Sequence, residues 1–367
     1  MSSDRKLRVL RLGRVEYPDG LVLQAQMARA RRAGTMPDTL LLLEHPPTVT
    51  LGRGARAGNV LASPAQLADV GVAVFETDRG GDVTYHGPGQ LVGYPILDLA
   101  GPRADVRAYV RSVEEGLIRG LSSFGLRAGR LPRWPGVWLG EEGVDARKIA
   151  AIGVHIARWI TTHGFALNVS LPLEDFRLIV PCGIEEAGVT SMEVELHRAP
   201  DAEVVQSAIA RAYGEVWESD VEEVGPGVRT VSVAITRKAP EGTQVLLLRR
   251  TAEKGGFWQL VTGTREAGET ASAAAAREVS EETGGKLPVR SLGYRHCFAL
   301  GEASPPLLVE EEAFAADWEG TRPVGLGPEH TEFDWVGVPE ALRRLPFAGL
   351  RRAVQRATSE PSAPAWR

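Results

Sequence analysis

The sequence predicts an α/β protein of two domains, and three observations carry that expectation. Strand-like and helix-like patterns alternate along most of the chain. An acidic run, Glu218-Ser219-Asp220-Val221-Glu222-Glu223-Val224, breaks at Gly225-Pro226-Gly227 and reads as a linker. At 367 residues the chain exceeds one typical domain. The expected boundaries are 1–224, 225–358 and a disordered tail over 359–367, where two prolines and small residues leave little to pack.

In the first region, Leu7 to Leu12 and Thr39 to Leu43 read as strands flanking a helix over Leu21 to Ala33. Val106, Tyr109, Val110, Val113, Leu117, Leu121 and Phe124 recur at helical spacing. Short strand-like runs follow at Val137 to Leu139, Ile149 to Ile156 and Phe165 to Val169, then a helix over Ala202 to Val216. The second region offers strands at Val231 to Ile235 and Val245 to Leu248, a helix over Thr270 to Thr283, and a final helix over Glu340 to Arg356.

Hydrophobic content of 43% and charged content of 24% are ordinary for a soluble globular protein. A net charge of −5 gives no electrostatic footprint for nucleic acid or an anionic membrane. No apolar run is long enough to span a bilayer, and Met1 to Lys6 lacks the apolar core of a signal peptide, so a cytoplasmic location is expected. Two cysteines, Cys182 and Cys297, make no disulfide framework. Cys297 reads as a core or strand residue. Gly52-Arg53-Gly54 only weakly imitates a dinucleotide fingerprint, and no P-loop is present.

The run from Arg79 to Pro95 is the densest cluster of chemistry: glycines, one positive charge, hydroxyls and His86. It reads as a ligand loop rather than a packed strand or helix, because glycine costs entropy on ordering. Cys182, in Val180-Pro181-Cys182-Gly183, is either a thiol exposed on a tight turn or a buried small hydrophobe. A reactive thiol needs a neighbour that favours the thiolate. Lys148, His86 and His163 are the candidates, and Lys148 by itself reads equally as a surface residue.

Residues 1 to about 218 resemble the lipoyl(octanoyl) transferases. Five collinear blocks carry the resemblance: Leu43 to Pro47 with Thr50 to Arg53; Arg79 to Pro95; Lys148 to Gly153; His163 to Val169; and Pro181 to Ile184 with Val189 to Ser191. The resemblance implies a mixed-sheet fold like that of biotin and lipoate protein ligases. It implies catalysis by Cys182, as an acyl thioester, and Lys148. Substrate contacts would fall on Arg79, Gly80, Gly81, Asp82, Val83, Thr84, Tyr85 and His86, on Ala151, Ile152 and Gly153, and on Gly164, Phe165 and Ala166. The implied partners are octanoyl-acyl carrier protein, the lipoyl domains of 2-oxoacid dehydrogenase complexes and the glycine cleavage H protein, with no cofactor. An ATP-dependent lipoate ligase is the rival on this fold.

In the second region, Glu278, Glu281 and Glu282 share a helical face at i, i+3 and i+4. Alone, that is a solvated acidic face or a cation site. With Gly263, Glu269 and Arg277 the spacing resembles the Nudix box, departing only at Gly285, where an aliphatic residue is usual. The resemblance implies a Nudix α/β/α sandwich and Mg²⁺ or Mn²⁺ on the three glutamates. Gly263, Glu269 and Arg277 would brace the site, and a small nucleotide would be the substrate. Phe257-Trp258-Gln259 with Val261 to Gly263 resembles the branch acting on dihydroneopterin triphosphate. A non-catalytic binding module is the alternative. His330 reads as a loop residue.

Overall fold

The first unit begins with β1 (Lys6–Arg14), a strand whose Leu7 and Val9 point into the core. The structure, a computed structural model, describes residues 5–101, 104–184, 187–300, 306–318 and 323–359, and of Ala57 and Cys182 the backbone alone. Two units emerge, Met1–Gly225 with Ala299–Leu307, and Pro226–Phe298 with Leu308–Arg367. No helix among the described residues is long and apolar enough to cross a membrane.

After β1 come α1 (Tyr17–Arg32), β2 (Asp38–Glu44), β3 (Thr48–Leu51), α2 (Pro64–Asp69), β4 (Ala73–Glu76), β5 (Val83–His86) and β6 (Gln90–Ile96). α1 starts earlier than its apolar spacing suggests, because Pro18 presets the first turn. The Arg79 to Pro95 run corrects the loop reading. It holds two buried strands, β5 and β6, joined at Gly87-Pro88-Gly89. Ladder pairing and burial offset the glycine entropy, and Gly93 is required because the Phe165 ring packs against it, with Cζ 2.0 Å from where a Cβ would stand.

There follow α3 (Val106–Ser122), β7 (Gly129–Leu131), β8 (Trp134–Leu139), β9 (Arg147–Ala157), β10 (Ile160–Asn168), β11 (Gly188–Val189), α4 (Met192–Leu196), α5 (Ala202–Val216) and β12 (Asp220–Val224). Asp105 and Asp201 cap α3 and α5 by accepting two backbone N–H bonds each. The main sheet runs β12-β1-β2-β6-β10-β9-β8-β7, with β11 beside β9, and β4-β3-β5 forms a smaller sheet. Val113, Leu117 and Leu121 of α3 meet Val205, Ile209 and Tyr213 of α5 over one face of the main sheet. Each such side chain contributes roughly 1.5–3 kcal/mol by leaving water. The acidic stretch is not a free linker: β12 pairs in parallel with β1, and Glu222 and Glu223 meet Lys6 and Arg11.

The second unit contains β13 (Val228–Ala239), β14 (Gly242–Arg250), β15 (Trp258–Gln259), β16 (Val261–Thr264), α6 (Ala271–Thr283), β17 (Val289–Leu300), β18 (Leu307–Asp317), β19 (His330–Gly337), α7 (Val338–Arg344) and α8 (Ala348–Thr358). Its sheet follows β15-β14-β13-β18-β17, with β16 on β13 and β19 on β14. Alternation along β13 sends Val231, Val233 and Ile235 to the α6 side and Ala234 to the α8 side. The single final helix of the sequence reading is two, because Leu345-Pro346-Phe347 interrupts it at the residue before a proline. Of the expected disordered tail, residues 360–367 lie outside the described residues.

Candidate active sites

In the first unit a cavity of about 150 Å³ opens between β5, β9 and β10. Backbone approach builds its walls. The Gly80 N–H donates to Val154 O at 2.9 Å, and a Cβ on Gly153 would stand 2.8 Å from Gly80 O. Larger residues there would force the Arg79 loop off β9. Of the residues expected to contact substrate, Arg79, Gly81, Asp82, Thr84, His86, Ala151, Ile152, Gly153, Gly164, Phe165 and Ala166 line the cavity, as does Lys148.

Gly80, Val83 and Tyr85 do not line it. Strand alternation explains the latter two: Thr84 and His86 face the cavity while Val83 and Tyr85 enter a separate apolar cluster with Val49 and Leu171. The Tyr85 hydroxyl donates to Asp175 at 2.6 Å. Arg79, the expected substrate cation, spends much of its guanidinium on the protein, donating to Thr50 O at 2.8 Å, Thr50 Oγ1 at 2.9 Å and Gly80 O at 3.1 Å. Asp82 accepts from Asn59 at 2.5 Å and from the Val83 N–H at 2.8 Å, which shapes the loop around Gly183.

Tyr17, Tyr94, Trp134 and His163 line the cavity without having been singled out as contacts. Tyr94 lies inside the glycine-rich run, which was the available signal; Tyr17 left none. His45 stands behind Tyr94, its Nε2 2.7 Å from the Tyr94 hydroxyl and its Nδ1 2.6 Å from Val15 O. Burial lowers His45 to about 4 and His86 to about 3, so both rings are neutral at neutral pH. His163 sits in left-handed backbone (φ 55°), its amide donating to Gln24 at 2.6 Å and its Nε2 2.8 Å from Asp78.

Lys148 is 6% exposed, with its Nζ 4.7 Å from the Trp138 ring centroid. Among the described residues no carboxylate pairs with it. Cys182 occupies the middle of a three-ten turn, Pro181–Gly183, and its side chain lies outside the described residues. The turn is tied down on both sides. The Val180 N–H donates to Asn59 O at 2.8 Å, and after the turn Val189 pairs with Lys148 in the β11–β9 ladder. Ile184 lines the cavity.

A hydrogen-bond chain joins blocks far apart in sequence. His86 Nδ1 donates to Gln90, which donates to Asn168, which donates to Thr190 O. The Thr190 hydroxyl donates to Glu195, the partner of Arg147, and the Thr190 N–H donates to Lys148 O. Buried and satisfied, such a network fixes geometry as well as adding stability.

In the second unit Arg277 organises the carboxylate helix. It grips Glu269 through two bonds of 3.0 Å, and Nη1 donates to Glu278 at 2.7 Å and Glu281 at 3.1 Å. Burial, followed by repulsion from Glu281 and Glu282, raises Glu278 despite Arg277. Gly263 makes room: a Cβ there would stand 1.7 Å from the Glu278 carboxyl carbon. Glu282 turns instead to His330, 2.5 Å from its Nδ1, while His330 Nε2 meets the Gln259 amide at 3.0 Å. His330 is therefore buried in the site, not a loop residue; its place opposite Arg250 on β14 was not legible locally. Glu278, Glu281 and Glu282 are thus split between two partners, and no group of three acidic, His or Cys side chains among the described residues converges as a metal site. Cys297 is buried in β17, and burial pushes its thiol up to about 12.

The catalytic domain model for lipoyl protein ligases A and B matches residues 16–214. An octanoyltransferase of Myxococcus xanthus is 58% identical over 354 residues, covering 96% of this chain and 99% of its own. The chain belongs to the octanoyltransferase family. Residues 228–356 match the NUDIX domain, so this family member is an enzyme carrying a second domain. An octanoyltransferase of Acidobacterium capsulatum, 53% identical over 225 residues, covers 59% of this chain and 92% of its own. A bipartite lipoate protein ligase of Thermoplasma acidophilum covers 60% of this chain and 87% of its own, at 17% identity and a TM-score of 0.48. NUDIX domains generally use a divalent metal such as Mg²⁺.

Proposed function

We propose that residues 1–224 transfer an octanoyl group from octanoyl-acyl carrier protein, through a thioester on Cys182, to the target lysine of lipoyl domains and of the glycine cleavage H protein, in the cytoplasm. The observation that carries this is Lys148: a buried ammonium free of described carboxylates, lining the same cavity as the Arg79 loop and Ile184. The Cys182 thiolate attacks the donor thioester, the C–S bond to the carrier breaks, and the carrier thiol leaves with a proton from Lys148. The target amine then attacks, its proton passes to Lys148, and Cys182 leaves as thiolate. Thioester exchange is nearly isoenergetic and the amide is more stable, so no ATP is needed.

The test is the mass of the full-length protein after incubation with octanoyl-acyl carrier protein alone. An octanoyl adduct that Cys182→Ala abolishes is expected. An adduct surviving that substitution, or transfer that requires ATP, sinks the proposal and favours a ligase.

Residues 225–358 we read as a Nudix hydrolase of a nucleoside diphosphate derivative. Hard carboxylate oxygens on one helical face, cradled by Gly263, fit Mg²⁺ or Mn²⁺ on Glu278, Glu281 and Glu282. The ion would neutralise phosphate oxygens and lower the pKa of a bound water. To serve it, Glu278 and Glu281 must release Arg277, which stays gripped by Glu269, while His330 keeps Glu282 oriented. Chelator-sensitive phosphate or pyrophosphate release from a nucleotide panel, dihydroneopterin triphosphate included, checks this reading. Turnover undiminished by Glu282→Gln would argue against its metal role, and no release from any nucleotide would leave a binding module.

A further inference from the structure

Resting on the Cys182–Lys148 reading, we infer that Trp138 is the positioning residue of the acyl site, holding the Lys148 ammonium on its indole face while packing against Ile184 beside the cysteine turn. Trp138 is 2% exposed and lies directly opposite Lys148 in the β8–β9 ladder. The register slips between Val137 and Trp138: Val137 faces Ala150 and Trp138 faces Lys148, leaving Ile149 without an opposite number. A bulge of this kind re-aims side chains, and here the ammonium lies over the ring.

Several contacts hold the indole still. Its Nε1 donates to Trp134 O at 3.2 Å, and the Trp134 ring lies 5.8 Å away. Arg133 caps Trp134 at 4.9 Å, so the rings sit between two cations. On its other contacts Trp138 joins Ala146 and Ile184 in an apolar cluster. Gly136 leaves room for the lysine stem: a Cβ there would stand 3.4 Å from Lys148 Cε and 2.7 Å from Ala150 O.

The chemistry favours an aromatic partner. A buried ammonium alone is costly. A carboxylate would remove that cost but would also accept the proton and occupy the N–H donors the thiol and acyl group need. A π face stabilises the charge, takes no proton and leaves the N–H donors that point away from the ring for the thiol and acyl group. One side chain thereby sets the lysine against the segment carrying Cys182.

The experiment places mono-, di- and tetrafluorotryptophan at position 138 of the full chain. Fluorine weakens the cation–π attraction with little change of shape. The rate of octanoyl-enzyme formation should fall stepwise, by about tenfold at the end of the series. The pH midpoint of Cys182 alkylation should move upward in parallel, with buried Cys297 as the internal unreactive thiol. A flat series, or slowing with a fixed midpoint, overturns the inference and leaves Trp138 as packing. Trp138→Phe should retain more activity than Trp138→Leu, and equal loss in both also overturns it. Cys182→Ala runs alongside: an adduct surviving there defeats the thioester reading itself, whereas its loss beside a flat series defeats only the role of Trp138.

Discussion

Around Lys148 a single cation is buried against an indole; around Arg277 a single guanidinium serves Glu269, Glu278 and Glu281 together. The first site is assembled by close backbone approach and neutral hydrogen bonds, with its two inner histidines uncharged. The second is crowded with negative charge that one arginine holds in check. The difference matches the chemistry each is suited to. A thiol needs one nearby positive charge and little else competing for protons. A phosphate-directed metal needs carboxylates kept together before it arrives, and repulsion among them is what a cation would relieve.

The strongest way to break this comparison is Lys148→Gln. Transfer from octanoyl carrier protein to a lipoyl domain should fall roughly 10²–10⁴-fold, the range for losing a positioned proton-transfer group. Nucleotide hydrolysis on the same preparation should not change, and parallel losses would contradict separate sites. Gly263→Ala should show the reverse. Its methyl group displaces the Glu278 carboxylate, and a misplacement of about 1 Å costs about a hundredfold in turnover. Octanoyl transfer measured beside it should stay at the parental rate.

The smallest expected effect sharpens the comparison within the second unit. Glu311 is buried beneath α8 near His296, and burial raises it from 4.5 to about 7. A raised carboxylate holds its proton in the folded state where the unfolded chain has lost it. Stability is therefore full below about pH 4.5 and lost as pH rises toward 7. His296, lowered by burial to about 4, acts on the acid side, its contribution lost as pH falls below 6.5. Glu311→Gln should remove a fall in stability between about pH 4.5 and 7 of at most about 1.4 kcal/mol per pH unit. Urea unfolding between about pH 5 and pH 8 reads this directly, and an unchanged slope would mean the carboxylate is not buried in solution.

Legibility followed how local each cause is. α5 could be read because Asp201 caps it and its apolar positions recur on one face. Glu278, Glu281 and Glu282 could be read together because their i, i+3 and i+4 spacing puts them on one face of α6. β5 and β6 were hidden because glycine argues against a strand until Phe165 is seen lying on Gly93. His330 was hidden because its partner, Glu282, is 48 residues away and reaches it only through the β14–β19 pairing. The lining residue Tyr17 belongs to the same class: its place at the cavity arises from the fold, not from its sequence neighbours. Val83 and Tyr85 show the converse limit, since a sequence block marks a region but only strand alternation decides which of its residues face the cavity.

β12 has a practical consequence for taking the protein apart. The match to the ligase-type catalytic domain ends at residue 214, which invites a cut there. Such a cut would strip five paired positions from β1 and bare a strand that carries Leu7, Val9 and Leu10. An uncovered apolar edge recruits other chains. The acidic strand now lying there, with Asp220, Glu222 and Glu223 exposed, repels them instead. A cut placed after Val224 instead keeps β12, whose five residues cover this edge of β1.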